Sequence, residues 1–210
     1  MADPKALAVE FFGTQFERQI AGHDYRLNPF EERALPHCRG RVLDLGCGLG
    51  NLSLAAAARG ASVTALDACG NAVDDLARRA RESGLDVQVR QAELKGWRPG
   101  ETWDAVACIG LLMFFERGAA LAGLAAVHDA VRPGGIAFVN VLVEGTTWLA
   151  SFDPRGSHLF TRAELLAPFA AWEILEERED DFPAPDAKLK RFRTLVARRP
   201  GPGTTRSPMA

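Results

Sequence analysis

From Arg41 onward the chain alternates short apolar runs with helical stretches, and that alternation leaves few architectures open. Residues 42–45, 62–66, 87–90, 104–109 and 136–141 are rich in Val, Leu, Ile and Ala, the texture of parallel strands buried on both faces. Between them, residues 52–59, 72–83 and 119–131 carry helical patterns, stopped by Gly60, by Gly84 and before Pro133-Gly134-Gly135. Parallel neighbours need crossovers that lie on the faces of the sheet, so this order implies a doubly wound α/β fold. After residue 143 the alternation breaks into a loop over 144–160. The capping signal Thr161-Arg162-Ala163-Glu164 then opens a short helix, and apolar runs at 172–177 and 191–197 follow with no helix after them. They read as an antiparallel C-terminal hairpin at the far end of an otherwise parallel sheet of about seven strands.

Two flanks complete the layout. Residues 1–40 form a helical flank or lid: Ala6, Leu7, Val9, Phe11, Phe12, Phe16 and Ile20 make an apolar stripe that His23-Asp24 ends. A second helix start follows at Asn28-Pro29-Phe30-Glu31, where Asn28 caps, Pro29 fits the first turn and Glu31 completes a capping box. Residues 41–199 are then one domain, and the Pro- and Gly-rich stretch 200–210 is a disordered tail.

Composition narrows the function. With 47% apolar and 25% charged residues the chain can build an ordinary core, which excludes a collagen-like, mucin-like or wholly disordered polymer. Twenty-five Lys plus Arg against 27 Asp plus Glu leave a net charge of −2, which offers no general attraction to nucleic acid or to anionic lipid. No apolar run approaches the ~20 residues of a membrane span and the start lacks a signal-peptide layout, so the expectation is a cytoplasmic protein with no nucleic-acid or membrane partner. Cys38, Cys47, Cys69 and Cys108 show no zinc-ligand spacing and read as reduced, buried thiols, with no metal site expected. The basic run Arg78-Arg79-Arg81 reads as a solvated helix face.

The residues richest in chemistry are Asp44-Leu45-Gly46-Cys47-Gly48-Leu49-Gly50-Asn51, where a strand runs into three alternating glycines and then a helix. Glycine lets the chain turn tightly and lets a ligand approach the backbone. The spacing GxGxG is one residue shorter than the dinucleotide fingerprint GxGxxG. This stretch resembles motif I of the class I S-adenosylmethionine-dependent methyltransferases, a family with a Rossmann-like fold. The resemblance implies S-adenosylmethionine as cofactor. It also implies an acid at the end of the second strand for the ribose hydroxyls, and Asp67 stands there, followed by Ala68. Glu93, in the loop after the third strand, falls where the family places a group near the adenine. Ile109 ends the fourth strand beside the cofactor, and Leu111 and Phe114 follow in an apolar stretch where the acceptor would lie. The Asn/Asp-Pro-Pro-aromatic signature of nucleic-acid amino-methyltransferases is absent at this point.

Later segments, among them Leu112-Met113-Phe114-Phe115, Arg132-Pro133-Gly134-Gly135 and Leu159-Phe160-Thr161-Arg162, are similar to the tellurite-resistance (TehB-like) branch. That branch implies a small soft anion such as tellurite or selenite, or a thiol, as methyl acceptor. One departure is that residues 180–188, expected as the loop between the last two strands, contain no histidine where the branch carries a His-Arg pair. An O-, N- or C-methyl acceptor stays open as the alternative, and such a substrate needs a general base, for which His23, Tyr25 and His158 are the candidates. Arg155 and Arg162 are the cations expected near an anionic acceptor. A nicotinamide-dependent oxidoreductase and a non-catalytic cofactor-binding module are the rival readings, and the expected assembly is a monomer or a homodimer.

Overall fold

The computed structural model describes residues 4–149 and 156–202, with side chains from Val9 onward. In chain order its elements are α1 (Pro4–Ala21), α2 (Pro29–Ala34), β1 (Arg41–Leu45), α3 (Asn51–Ala57), β2 (Ser62–Asp67), α4 (Gly70–Glu82), β3 (Val87–Gln91), β4 (Trp103–Ile109), α5 (Arg117–Ala130), β5 (Val131–Leu142), α6 (Arg162–Leu166), β6 (Glu173–Ala184) and β7 (Lys188–Arg198). The seven strands form one sheet in the order β3-β2-β1-β4-β5-β7-β6. The first five are mutually parallel, and β7 runs antiparallel to both β5 and β6.

Each face of the sheet buries its own layer. Leu43, Val106, Cys108, Val139 and Val141 point to one side, where α5 covers them with Ala120, Leu124 and Val127, and where Phe160, Leu165, Phe169 and Trp172 close the far end. Val42, Ala105, Ala107, Phe138 and Val196 point to the other, beneath Ala34 and Leu35 of the α2 region and Leu52, Ala56 and Ala57 of α3. Truncating a residue such as Leu43, fully buried in the first layer, would cost about 2–5 kcal/mol. Both sequence-predicted capping boxes are present. The Asn28 side chain accepts from the backbone N–H of Phe30 and Glu31 while Glu31 accepts from Asn28 N–H, and Thr161 and Glu164 do the same at α6.

The structure differs from expectation at two places. The strand expected over 136–141 begins earlier, with the Arg132-Pro133-Gly134-Gly135 segment as its irregular start, because Val131 pairs with Trp103 before the register shifts to Ile136 opposite Ala105. The expected loop over residues 180–188 is mostly strand: β6 runs on to Ala184, and only a tight turn with positive φ at Asp186 and Ala187 precedes β7. What holds this long ribbon is an alternation of cross-strand charges, including Glu177 and Glu179 with Arg193 and Asp181 with Arg191. The predicted tail falls largely outside the described residues. Among the described residues no helix is long and apolar enough to cross a membrane.

Strand order reverses between β1 and β4, both of which lead from the sheet centre to its carboxyl edge. An open α/β sheet parts its loops at that point and leaves a crevice.

Candidate active site

The crevice is closed on one side by the glycine loop after β1. Gly46 and Cys47 both donate their N–H to Leu66 O, at 2.8 and 3.1 Å, which ties the loop to the end of β2. Gly48 has φ +51°, and a Cβ there would sit 3.0 Å from the Phe16 ring of α1. Gly50 has φ +65°, and a Cβ there would come within 2.3 Å of Leu76, so this glycine exists to let α4 pack on the loop. Asp67 is nearly buried and accepts two backbone hydrogen bonds, from Gly48 N at 2.7 Å and Cys69 N at 2.8 Å. Each goes to a different oxygen, so each oxygen keeps a second lone-pair direction for a hydroxyl.

Behind the loop lies a buried clamp. The Arg79 guanidinium on α4 donates to Leu49 O and to Asn51 Oδ1, pairs through Nε with Asp75 at 2.7 Å, and lies 4.0 Å from the centroid of the Tyr25 ring. Tyr25 in turn donates its hydroxyl to Asp75 at 3.3 Å, and Asn51 Nδ2 donates to Arg26 O. The basic run 78–81 is therefore not simply a solvated face. Arg79 is 13% exposed because its charge is needed where three segments meet.

A cavity of about 740 Å³ extends from this loop, within the ~300–1,000 Å³ range of small-molecule sites. Asp44, Asp67, Ala68 and Glu93 line one part of it. Ile109, Leu111, Met113, Phe114 and Phe115 give it an apolar side, and Phe12 and Phe16 of α1 cover it, with the Phe12 and Phe114 rings 4.9 Å apart edge to face. It continues beneath α2 to Phe30, Glu31, Asn140, Leu142 and Phe192. Burial raises the Asp44 carboxyl to about 7, against the opposing hydrogen bond from Ser53 Oγ at 2.6 Å. Burial likewise raises Glu31, against the Asn28 N–H that it accepts. The thiols of Cys47 and Cys69, which also line the cavity, are pushed up by burial, Cys69 to about 12, so neither supplies a thiolate near neutral pH.

Of the residues singled out in the sequence, Asp44, Gly46, Cys47, Gly48, Asn51, Asp67, Ala68, Glu93, Ile109, Leu111 and Phe114 are brought together around this cavity. Gly50 is not among its lining residues, for the packing reason given above. Nor are His23, Tyr25, His158 and Arg162. His23 sits at positive φ just beyond the end of α1, and Tyr25 belongs to the Asp75–Arg79 clamp. His158 spends its ring on Glu164 at 2.9 Å and its backbone N–H on Met113 O. Although desolvation opposes it, the hydrogen bonds from Thr161 N–H, His158 and Arg117 hold Glu164 down at about 2. Arg162 is bound through two nitrogens to both oxygens of Glu177 at 2.5 Å. Arg155 lies outside the described residues. The residues missed are Phe16, Glu31, Asn140, Trp148, Lys190 and Phe192. Asn140 had a signal, since an amide inside the run Phe138-Val139-Asn140-Val141-Leu142 is out of place in a strand buried on both faces.

Comparison with known proteins agrees with this geometry. A family profile described as a methyltransferase domain matches residues 42–135. The ubiquinone biosynthesis O-methyltransferase of Pseudomonas aeruginosa is 35% identical over 161 residues, covering 70% of this chain and 67% of the relative. Across the first curated relatives it matches, the chain spans 61–67% of their length. Among solved structures, the 1,6-didemethyltoxoflavin-N1-methyltransferase of Burkholderia thailandensis, with bound 1,6-didemethyltoxoflavin and S-adenosylhomocysteine, superposes with a TM-score of 0.70 at 22% identity, over 95% of this chain and 92% of that one. TehB from Haemophilus influenzae superposes with a TM-score of 0.69 at 22% identity, over 81% of this chain and 61% of that one. These two likenesses are of fold. The chain belongs to the class I S-adenosylmethionine-dependent methyltransferase family, whose cofactor is S-adenosylmethionine.

Proposed function

We propose that the protein transfers the methyl group of S-adenosylmethionine to a small organic molecule held in the part of the cavity beneath α1 and α2. The observation that carries this reading is the continuity of one cavity from the nearly buried Asp67 and the glycine loop to an aromatic-lined end. The residues present suit the cofactor: Asp67 would accept the ribose hydroxyls, Gly48 lets the backbone come close, Ala68 and Glu93 would border the adenine, and Asp44, Cys47, Asn51 and Ile109 would complete the cradle. The bound cofactor supplies an electrophilic methyl group, and what the chain must supply is alignment. Holding two reactants in line lowers a barrier by ~7–11 kcal/mol without any covalent step by the protein. The side from Leu111 to Phe115, roofed by Phe12 and Phe16, excludes water from that line of attack.

A general base is needed for a hydroxyl acceptor, and the titratable groups of the cavity, not His23, Tyr25 or His158, are the ones placed to provide it. Glu31 is a carboxyl of the cavity whose charge is felt at Asp44, and its proton affinity is already raised by burial. A second reading rests on the sequence resemblance of residues 112–115, 132–135 and 159–162 to the tellurite-resistance branch, and in it the acceptor is a soft anion such as tellurite or selenite, or a thiol. Release of S-adenosylhomocysteine with small phenols, aromatic amines, thiols, selenite and tellurite separates the two. Turnover confined to protein or nucleic acid would overturn the small-molecule reading. We also take the protein to be cytoplasmic and a monomer or a homodimer, which light scattering tests for the assembly.

A further inference from the structure

Asn140 is fully buried on β5, beside Ile109 of β4 and Thr194 of β7 in the sheet register. Its Nδ2 donates to Thr194 Oγ1 at 3.0 Å, and its Oδ1 has no partner. Of the buried side-chain polar atoms without a partner among the described residues, Oδ1 is the one whose residue lines the cavity. Strand alternation fixes the sheet face that its side chain occupies. Asn140 shares its sheet face with Phe138 and Leu142 and, across the register, with Ala107 and Ile109, the face that α2 and α3 cover. Leu142 and Ile109 on that face also line the cavity. An orphaned amide oxygen in a core strand is a cost in the free protein that a ligand can remove by donating a hydrogen bond.

The surroundings define the donor. Phe30 of α2 and Phe192 of β7 touch with centroids 4.9 Å apart, and Phe182 packs against both rings edge-on. The remaining polar group here is Glu31, another acceptor, which already takes Asn28 N–H at 2.8 Å through one oxygen. Of the cations among the described lining residues, Arg26 is largely exposed and paired with Asp24, Lys95 is paired with Glu116, and Lys190, on the same face of β7 as Phe192, lies over the Trp148 ring. An end of the cavity that offers two oxygen acceptors and aromatic rings, with Lys190 held over Trp148, suits a flat molecule carrying an O–H or N–H better than an oxyanion.

We propose that Asn140 determines acceptor specificity, its Oδ1 receiving the hydroxyl or amino hydrogen of a flat, neutral aromatic acceptor that lies against Phe30, Phe192 and Leu142. This rests on the reading of the cavity as a methyl-transfer site and names the class of acceptor. The acceptor hydroxyl that hydrogen-bonds to Asn140 is held, and a second nucleophilic atom on the same ring is thereby turned toward the cofactor side. The role is one of positioning and selection.

The probes are 2-naphthol, 2-methoxynaphthalene, which keeps the ring and removes the donor, and selenite, each titrated into the full chain saturated with S-adenosylhomocysteine. Expected is that 2-naphthol binds roughly tenfold tighter than its methyl ether, the worth of one neutral hydrogen bond, and that selenite does not compete. Asn140→Leu should erase the tenfold difference while leaving the affinity for S-adenosylhomocysteine within about twofold. Should that variant fail to fold, Asn140→Leu combined with Thr194→Val removes both partners of the buried pair and leaves no orphan behind, and the same loss of discrimination is expected. Equal binding of 2-naphthol and its methyl ether, displacement of either by selenite, or discrimination that survives the double variant would overturn the proposal. Absence of S-adenosylhomocysteine binding in calorimetry would instead strike the cofactor reading, and the naphthol pair can still be compared on the free protein.

Discussion

Around Asp67 the wall of the cavity is mostly backbone, and around Asn140 it is mostly side chains. The cofactor side is made by a loop whose N–H groups are fixed to Leu66 O and Asp67 and whose glycines meet Phe16 and Leu76. The side proposed for the acceptor is made by Phe30, Glu31, Asn140, Leu142 and Phe192, which come from α2, β5 and β7. A backbone-built site is local in sequence and tolerates little change. A side-chain-built site can alter its acceptor by substitution on a scaffold that stays the same, which is how one fold serves many substrates.

The largest effect should follow from Gly48→Val, which places a branched side chain at φ +51° and 3.0 Å from Phe16. Affinity for S-adenosylmethionine should fall by at least roughly 100-fold in calorimetry, while Phe192→Leu at the other end of the cavity leaves it within about threefold. If the two variants weakened the cofactor equally, the division of the cavity into two halves would not hold. Next in size is Asp67→Ala. It removes a carboxylate with one free lone-pair direction on each oxygen and should cost ~1.5–3 kcal/mol of cofactor affinity, with 2-naphthol binding unaffected. Unchanged affinity would remove Asp67 from the site.

A smaller effect is tied to pH. Burial raises the Asp44 carboxyl from 3.8 to about 7, so its ionised form is the costly one in the free folded protein. The sign for stability follows: between 3.8 and about 7 the folded chain keeps a proton that the unfolded chain has lost, so this group lowers stability as pH rises through that window and adds no further slope above it. S-adenosylmethionine carries a net positive charge and favours the ionised carboxylate. Its affinity should therefore rise as pH climbs through about 7, by up to about tenfold per unit at the steepest, and Asp44→Asn should flatten the profile. The same slope in the variant would show that another group sets the pH dependence, with Glu31, whose carboxyl burial also raises, the first to test.

Much of the sheet was legible because both its signals are local. The strand and helix periods mark β1 to β5, and the capping boxes at Asn28 and Thr161 mark helix starts to the residue. The full length of β6 and β7 was not, since their outer halves are polar and are held by charge pairs across the ribbon instead of by an apolar pattern. That the glycine loop and Asp67 would meet at one cavity was legible for the same reason as the strands: alternating glycines and an acid at a strand end are local signals. The acceptor half was not. Nothing in the spacing of Phe30, Asn140 and Phe192 brings them together until β7 has folded back against β5 and α2 has packed over that seam. The histidines illustrate the converse, because a residue type suited to catalysis says nothing about partners such as Glu164 that tie it down elsewhere.

The smallest effect, and the one that most sharpens the contrast between the halves, concerns Tyr25. Its ring lies over Arg79 and its hydroxyl reaches Asp75, so it fastens the segment between α1 and α2 to the back of the glycine loop. Tyr25→Phe keeps the ring over the guanidinium and removes one hydrogen bond of 3.3 Å, which should lower stability by about 0.5–1.5 kcal/mol at most. Asp75 stays satisfied by Arg78 and Arg79, so no buried charge is stranded. If Tyr25 acts only as this fastening, the turnover number and its pH profile should match those of the unaltered chain, while the Kd for S-adenosylmethionine shifts by less than about threefold because the loop remains held at Leu49 and Asn51 by Arg79. Loss of turnover at unchanged cofactor affinity would place the Tyr25 hydroxyl in the chemistry after all, and would mean that α1 and α2 close further over the acceptor than they do in this structure.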